Sequence, residues 1–211
     1  MSTLLYDMDA ISLDAVRYGL TVVLIVILPV VIVFWLTIHG AISAWKTRPA
    51  WQAYTAALVV ILTTLTLIIL NFETAIGRDL GTSIPLLVAG TAIYIGSLRM
   101  SSRIRSHLSF RTFAGIPEVK SEAHELIEAG PFSIVRHPRY FMIVVGTVGW
   151  ALAANYTGGY IVSGLFFAGL YLIMLMEERE LTARFGSAYN DYQQRVPMVF
   201  PRLARIGQLF A

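Results

Sequence analysis

The sequence contains five apolar segments, and each approaches the length that a helix needs to cross a lipid bilayer. A membrane-spanning helix takes about 20 mainly apolar residues to cross a hydrocarbon core of roughly 30 Å. The fourth segment is the shortest, so we expect its helix to extend back over Arg139 and Tyr140. The sequence predicts an all-α integral membrane protein with five transmembrane helices. The segments cover residues 18–38, 51–70, 80–98, 141–154 and 159–176.

The composition is typical of a membrane-embedded chain rather than of a soluble or disordered one. Of the 211 residues, 56% are hydrophobic and 14% are charged, whereas a soluble domain has about 25% charged residues. The sequence contains no cysteine, which excludes disulfide frameworks, thiolate metal sites and cysteine nucleophiles. The formal net charge of +3 suits a protein whose basic residues interact with anionic lipid headgroups. We therefore expect membrane lipids as partners, and no nucleic acid.

The basic residues predict the orientation of the helices. With five crossings, all 16 Lys and Arg residues except Arg17 and Arg78 fall on one side of the bilayer. Lys and Arg accumulate on the cytoplasmic side of membrane proteins. We therefore expect the N-terminus outside and the C-terminus in the cytoplasm, in a prokaryotic inner membrane. A four-span alternative with a re-entrant third segment would put the basic loop and the basic tail on opposite sides, against this bias.

The polar residues are concentrated in two stretches that this topology places in the cytosol, residues 99–140 and 177–201. We divide the chain into an N-terminal three-helix membrane region, residues 1–98, and a second region, residues 99–211. The second region contains a cytosolic loop, a helical hairpin at 140–176 and a cytosolic tail. Because only four residues join the last two spans, those helices must be antiparallel. This topology predicts that His137 and Tyr140 lie beside Glu177 and Glu178.

The residues at this junction carry the charges that a small zwitterionic group needs. Arg136 presents a planar fork suited to a carboxylate or phosphate, and the first amides of the fourth helix favour an anion. Glu177 and Glu178 offer carboxylates to a cation. The aromatic faces of Phe132 and Tyr140 attract a sulfonium or ammonium group. The sequence therefore predicts a site for a group that bears both charges.

Other polar residues receive no functional role. The ionisable residues nearest the junction match no known metal-ligand spacing, so we predict no metal site. Arg139 is expected to be an interfacial residue at the end of a span. His39 and His107 are also expected at the interface, without a role in the site.

Six short pieces in the C-terminal half keep an order and spacing that are typical of one family. They are His124-Glu125-Leu126-Ile127, Gly130-Pro131-Phe132, Arg136-His137-Pro138-Arg139-Tyr140, Glu177-Glu178, Phe185-Gly186, and the tail residues Tyr189, Tyr192, Arg195-Val196-Pro197 and Pro201. On these residues the chain resembles the isoprenylcysteine carboxyl methyltransferase family and its relatives among membrane phospholipid methyltransferases. The first three apolar segments match only in being hydrophobic.

The resemblance implies transfer of a methyl group from S-adenosylmethionine to a lipophilic acceptor at the cytosolic membrane face. It implies cofactor-binding roles for His124, Glu125, Leu126, Ile127, Phe132, His137, Pro138, Tyr140 and Glu178. The charges add two catalytic candidates. Arg136 suits the carboxylate of the cofactor, and Glu177 can accept a proton from an amine acceptor.

The acceptor is left open between an isoprenylcysteine-like carboxylate and a lipid amine headgroup. Prenylcysteine enzymes place an arginine about one helical turn before the acid pair, where this sequence has Met174. An uncompensated carboxylate inside the membrane is costly, so an amine is at least as well supported. Two other functions remain open. Sterol reductases share the Arg-His-Pro-x-Tyr signature and use NADPH but have more spans, and a non-catalytic membrane protein can retain the same fold.

Overall fold

The computed structural model describes the backbone of residues 2–106 and 126–209, and the side chains of residues 13–102, 104 and 126–209. The described residues form helices and no β-strand. In chain order, the α-helices are α1 (Ser2–Gly40), α2 (Ile42–Lys46), α3 (Ala50–Leu70), α4 (Phe72–Ile76), α5 (Ile84–Ser106), α6 (Pro138–Ala154), α7 (Thr157–Phe185) and α8 (Ser187–Arg195). Two 3₁₀-helices, Gly130–Ser133 and Leu203–Leu209, precede α6 and follow α8.

Four of these helices are long and apolar enough to cross a membrane. They are Leu13–Gly40 within α1, Ala50–Leu70, Ile84–Ser102 within α5, and Thr157–Phe185. The helix α6 is apolar but has 17 residues, which corresponds to about 25 Å. It begins at Pro138 and so includes Arg139 and Tyr140. The predicted all-α membrane fold is confirmed, with four full-length spans and one shorter helix where the sequence predicted five spans.

The five long helices run back and forth between two ends of the bundle. At one end, Arg17 of α1 contacts the carbonyl oxygen of Ala154, the last residue of α6. At the other end, His39 of α1 contacts Glu180 of α7. Between the ends, α1 packs against α3 and α7, and α5 packs along α6. We call the end with Glu180 the site end and the end with Arg17 the clasp end.

The third apolar segment forms one continuous helix, α5, which is long enough to cross the membrane and so favours a full span over the re-entrant alternative. The helix begins at Ile84 rather than near residue 80, because the residues before it form a loop. Gly77 and Gly81 of this loop have φ angles of +69° and +86°, which side-chain-bearing residues rarely adopt. The loop pairs with the α6–α7 turn, where the N–H of Leu80 donates to the carbonyl of Asn155 at 3.2 Å.

Glycines allow α5 and α6 to approach closely. A Cβ atom at Gly149 of α6 would lie 2.6 Å from the carbonyl oxygen of Gly90 in α5. A Cβ atom at Gly146 would lie 2.7 Å from the hydroxyl oxygen of Ser97. Small residues are the usual means of bringing two helix backbones together in a membrane. This contact holds α6, the helix whose first residues belong to the predicted site.

The main apolar core lies between α1, α6 and α7. Its buried members include Leu24, Leu28, Ala151, Phe166, Leu170 and Ile173, and Tyr140 extends it to the site end. The helices before and after residue 98 therefore share one core. The division of the chain at that residue stays a prediction.

A buried arginine closes the clasp end. The residue Arg17 is 1% exposed, and its guanidinium lies 2.7 Å from a carboxylate oxygen of Asp14 and 2.8 Å from the hydroxyl of Thr82. It also pairs with Asp79. We call these four residues the clasp. The clasp ties the start of α1 to the loop before α5, and nothing in the sequence pattern marked Arg17 for this position.

Candidate functional site

The candidate site lies at the site end, where α6 begins and α7 leaves the apolar core. The α6–α7 hairpin brings His137 and Tyr140 beside Glu177 and Glu178, as its topology predicted. The approach to α6 is held in place by the tail, because the backbone N–H groups of Arg136 and His137 donate to the carbonyls of residues 197 and 198 at 2.9 Å. The C-terminal tail is therefore part of the site.

Glu178 is the most extensively hydrogen-bonded carboxylate of the site. Arg136 donates to both of its oxygens, from Nε at 2.7 Å and from Nη2 at 3.0 Å. Gln193 of α8 donates from Nε2 at 2.8 Å, and Nε2 of His137 lies 3.1 Å away. Such two-point pairing fixes the geometry of the carboxylate as well as its charge. Glu178 is thereby held between α6, α7 and α8.

The guanidinium of Arg136 faces protein groups throughout. Besides Glu178, it donates from Nη1 to the carbonyl oxygens of Gln193 and Val196. In this structure its fork therefore orders the acid and the α8 segment. The expected role of Arg136 toward the carboxylate of a cofactor stays a prediction.

Glu177 points to a different set of partners. The hydroxyl of Tyr140 donates to it, and a ring nitrogen of His137 lies 3.5 Å from its second oxygen. The guanidinium of Arg139 lies 3.8 Å away, and His39 of α1 lies 3.5 Å away. The acid pair is thus divided: Glu178 faces the α8 side, and Glu177 faces α1 and the first turn of α6.

His137 connects the two acids, with one ring nitrogen toward each. Its side chain is 5% exposed. Burial by itself would lower the pKa of His137, but hydrogen bonding to Glu177 and Glu178 and their negative charge outweigh burial and raise that pKa above its usual 6.5. A protonated ring donates from both nitrogens, so it stabilises two neighbouring carboxylates that would otherwise repel each other.

A small aromatic cluster packs beneath Glu178. It contains the buried Tyr189, Tyr192 and Val196, with Leu126, Leu181 and Phe185 against them. The hydroxyl of Tyr192 donates to the carbonyl of Phe132 at 2.6 Å. The cluster therefore joins α8 to the 3₁₀-helix before α6, in which Phe132 lies.

The remaining predicted residues take varied positions. Pro138 is buried as the first residue of α6, Leu126 packs on the aromatic cluster, and Ile127 is 41% exposed. His124 and Glu125 lie outside the described residues. The functional roles of these residues stay predictions.

Four residues of the site were not predicted: Trp35, His39, Glu180 and Gln193. His39 follows the first predicted span and Glu177 follows the fifth. Because these two spans cross the membrane in the same direction, the predicted topology already places both residues at the same end of the bundle. No pattern distinguishes Gln193 from its polar neighbours. Among the described residues, no cluster of three or more His, Asp or Glu residues is arranged to hold a metal ion.

The fold and this site define a class: an integral membrane protein with a buried, charged site at one end of its helical bundle. Residues 85–188, about half of the chain, match the family described as phospholipid methyltransferase. This stretch of the chain belongs to that family and is of the phospholipid and isoprenylcysteine methyltransferase type. The resemblance seen in the sequence motifs is thereby confirmed.

Individual relatives resemble stretches of 73 to 109 residues. The methanethiol S-methyltransferase 2 of Bradyrhizobium diazoefficiens is 42% identical over 73 residues, 34% of this chain and 27% of that protein. The protein-S-isoprenylcysteine O-methyltransferase of Schizosaccharomyces pombe is 30% identical over 109 residues, 49% of this chain and 44% of that protein. The nickel-cobalt-cadmium resistance protein NccN of Alcaligenes xylosoxydans xylosoxydans is 35% identical over 80 residues, 38% of each chain.

The matched stretch covers less than half the length of each of these relatives. No solved structure gives a significant match.

Proposed function

We propose that this protein transfers a methyl group from S-adenosylmethionine to a lipophilic acceptor at the cytosolic face of a prokaryotic inner membrane. The observation that carries the proposal is the position of Glu178. Its carboxylate is held by Arg136, His137 and Gln193 at the site end, and Glu178 lies inside the stretch that matches the methyltransferase family. The proposed orientation, with the C-terminus in the cytoplasm, follows from the distribution of Lys and Arg.

The donor set at the site end fits this cofactor. A carboxylate such as Glu178 suits an ammonium group or ribose hydroxyls, and a half-buried aromatic ring such as that of Phe132 suits a sulfonium. Arg136 and the first turn of α6 supply positive charge for the carboxylate of the cofactor. We propose that the predicted residues at positions 124–127 and Phe132 complete the pocket.

The protein's part in such a reaction is alignment and exclusion of water. The bound cofactor supplies a methyl group that is activated by its sulfonium charge. Methyl transfer is an in-line displacement, so the largest contribution comes from holding acceptor and donor in one geometry. A buried ion-pair network such as that around His137 holds its groups in fixed positions, and the apolar core beneath it keeps water out.

The need for a base depends on the acceptor. A carboxylate is already nucleophilic, whereas an amine or a thiol must lose its proton when it reacts. Glu177 is the carboxylate that we assign to this proton, because its partners face α1 and the membrane rather than α8. Met174 is 3% exposed and lies in the apolar core, so α7 itself provides no cation one turn before the acids to bind a substrate carboxylate. This favours an amine or a thiol acceptor.

Calorimetry on detergent-purified protein tests the cofactor assignment. We expect the wild type to bind S-adenosylmethionine and Glu178→Gln to bind it at least tenfold more weakly. The neutral amide keeps the size of the side chain but removes the charge that the cofactor needs. Glu73→Gln, an exposed acid in α4 at the clasp end, is the matched control and should bind normally. Unchanged binding by a folded Glu178→Gln variant would contradict the assignment.

The same titrations separate the alternatives. Binding of NADPH in place of S-adenosylmethionine would indicate a protein that works like a sterol reductase, and binding of neither would indicate a non-catalytic protein. Transfer of labelled methyl groups to N-acetyl-S-farnesylcysteine, phosphatidylethanolamine or methanethiol then identifies the acceptor as a carboxylate, an amine or a thiol.

A further inference from the structure

The end of α1 contributes two side chains to the site, although α1 lies outside the stretch that matches the methyltransferase family. Trp35 and His39 are four residues apart, so they share one face of the helix. The side chain of His39 is 1% exposed. A polar ring this deeply buried needs partners, because an unpaired one would cost considerable free energy.

His39 finds its partners on α7. Its Nδ1 atom lies 2.9 Å from a carboxylate oxygen of Glu180, and its Nε2 atom lies 3.5 Å from Glu177. These two acids are three residues apart and therefore lie on the same face of α7. The ring thus bridges one acid of the site and a second acid one turn further along.

Trp35 packs against both His39 and Arg139. Its ring stacks on His39 at a centroid distance of 5.5 Å and an interplanar angle of 25°. The guanidinium of Arg139 lies 5.5 Å from the Trp35 ring centroid and 5.1 Å from that of Tyr140. Arg139 and His39 both approach Glu177, so Trp35 holds two of the groups that surround this carboxylate.

Among the described residues, His39 approaches Glu177 of the acid pair, and Trp35 packs on Arg139 beside it. Glu178 is held by Arg136, His137 and Gln193, none of which contacts Trp35 through a ring or hydrogen bond among the described residues. The packing of α1 against α7 does not by itself require the buried pairs of His39 with Glu177 and Glu180. Replacing buried ion pairs by apolar side chains is often neutral or stabilising.

We propose that Trp35 and His39 are positioning residues that orient Glu177 for the acceptor and leave cofactor binding to the Glu178 side. This inference rests on the proposed methyl transfer. It makes α1, whose sequence lies outside the family match, the element that adapts a shared cofactor site to a particular acceptor.

The test compares His39→Ala and His39→Gln with Thr37→Ala. Thr37 lies on the same turn of α1 and bonds to the carbonyl of Val33, without contact to either acid. We expect His39→Ala to bind S-adenosylmethionine within about twofold of the wild type. Its kcat should fall roughly ten- to hundredfold, because a misplaced catalytic group costs rate rather than cofactor affinity. His39→Gln should recover part of the loss, and Thr37→Ala should match the wild type.

A thermal double-mutant cycle tests the pairing without any acceptor. The effects of His39→Ala and Glu177→Gln on the thermal midpoint should be non-additive, whereas those of His39→Ala and Glu178→Gln should add. Additive effects with Glu177, or a tenfold loss of S-adenosylmethionine affinity in His39→Ala, would overturn the inference. If the wild type binds no S-adenosylmethionine, the proposed function fails, while the cycle still decides whether His39 positions Glu177.

A third measurement covers the case in which His39→Ala does not fold. A variant with Trp45, Trp51 and Trp150 changed to phenylalanine leaves Trp35 as the reporter. Its emission should shift when phosphatidylethanolamine, N-acetyl-S-farnesylcysteine or methanethiol is added to the cofactor complex. A shift with the cofactor alone and none with these acceptor probes would assign Trp35 to the cofactor side and overturn the inference.

Discussion

At the scale of single residues, Glu178 shows how a carboxylate is kept charged and oriented beside an apolar core. Arg136 contributes two parallel hydrogen bonds to it, and the same guanidinium donates to the carbonyls of Gln193 and Val196. One side chain therefore links the approach to α6, the end of α7 and the tail. The ammonium group of a lysine cannot replace this planar set of donors.

The substitution Arg136→Lys tests that interpretation. Lysine keeps the charge but loses the two-point geometry and the carbonyl contacts, so we expect a loss of about 1–3 kcal/mol. The thermal midpoint should then fall by about 2–4 °C for each kcal/mol lost. Differential scanning fluorimetry in detergent measures the change.

The matched control is Arg195→Lys, which alters an exposed ion pair with Glu128. Exposed pairs contribute little, so this variant should stay close to the wild type. Equal midpoints for the two variants would show that the fork of Arg136 has no special role.

At the scale of elements, the position of α6 depends on its contact with α5. Gly149 and Gly90 bring the two backbones so close that an added methyl group at Gly149 would meet a carbonyl oxygen at 2.6 Å. Since backbone cannot move aside as a flexible side chain can, the helices would have to separate. The start of α6, and His137 with it, would shift relative to α7.

We therefore expect Gly149→Ala to lower the thermal midpoint and to weaken S-adenosylmethionine binding, although no part of residue 149 belongs to the site. Gly164→Ala is the matched control, because a Cβ atom there meets nothing within 4 Å. In an exposed position of a helix, alanine is the better helix former, so this variant should be at least as stable as the wild type. A stable, fully binding Gly149→Ala variant would show that the α5–α6 contact is not needed for the site.

At the scale of the whole molecule, the two ends of the bundle have different tasks. The site end gathers the acids, and the clasp end holds the helices together through Arg17. Burial alone would raise the pKa of Asp79, but the hydrogen bond from the N–H of Gly81 and the pairing with Arg17 lower it below 3.8. A carboxyl group with a lowered pKa in the folded state stabilises the protein above its unfolded-state pKa, and this contribution is lost as the pH falls through the folded value.

The wild type should therefore lose thermal stability below about pH 4, where the carboxyl of Asp79 takes up its proton. Asp79→Asn should have a lower midpoint than the wild type at pH 7 and a smaller decrease on acidification. Glu73→Gln, which changes an exposed acid outside the clasp, should keep the acid response of the wild type. If Asp79→Asn and the wild type respond equally to acid, the clasp does not contribute to stability through this carboxyl group.

Much of the fold could be read from local sequence. Apolar length determines each helix, because a backbone in lipid must satisfy its own hydrogen bonds, and α3 begins and ends within one residue of its prediction. The α6–α7 hairpin follows from a joint of four residues, and that hairpin alone places His137 beside Glu178. The third helix was predicted to begin too early, because the loop around Gly81 is shaped by its contact with the distant turn at Asn155.

The sequence alone thus determined the five long helices, the antiparallel pairing of α6 with α7 and the helix ends at which the acids lie, since all of these depend on residues that are near one another in the chain. Only the tertiary structure decided which side chains from other helices reach the acids. The apolar residues of the spans surround each helix, so no period marks the face that turns inward. For that reason only the packed helices show three contacts: His39 with Glu177, Gln193 with Glu178, and Arg17 with the other residues of the clasp.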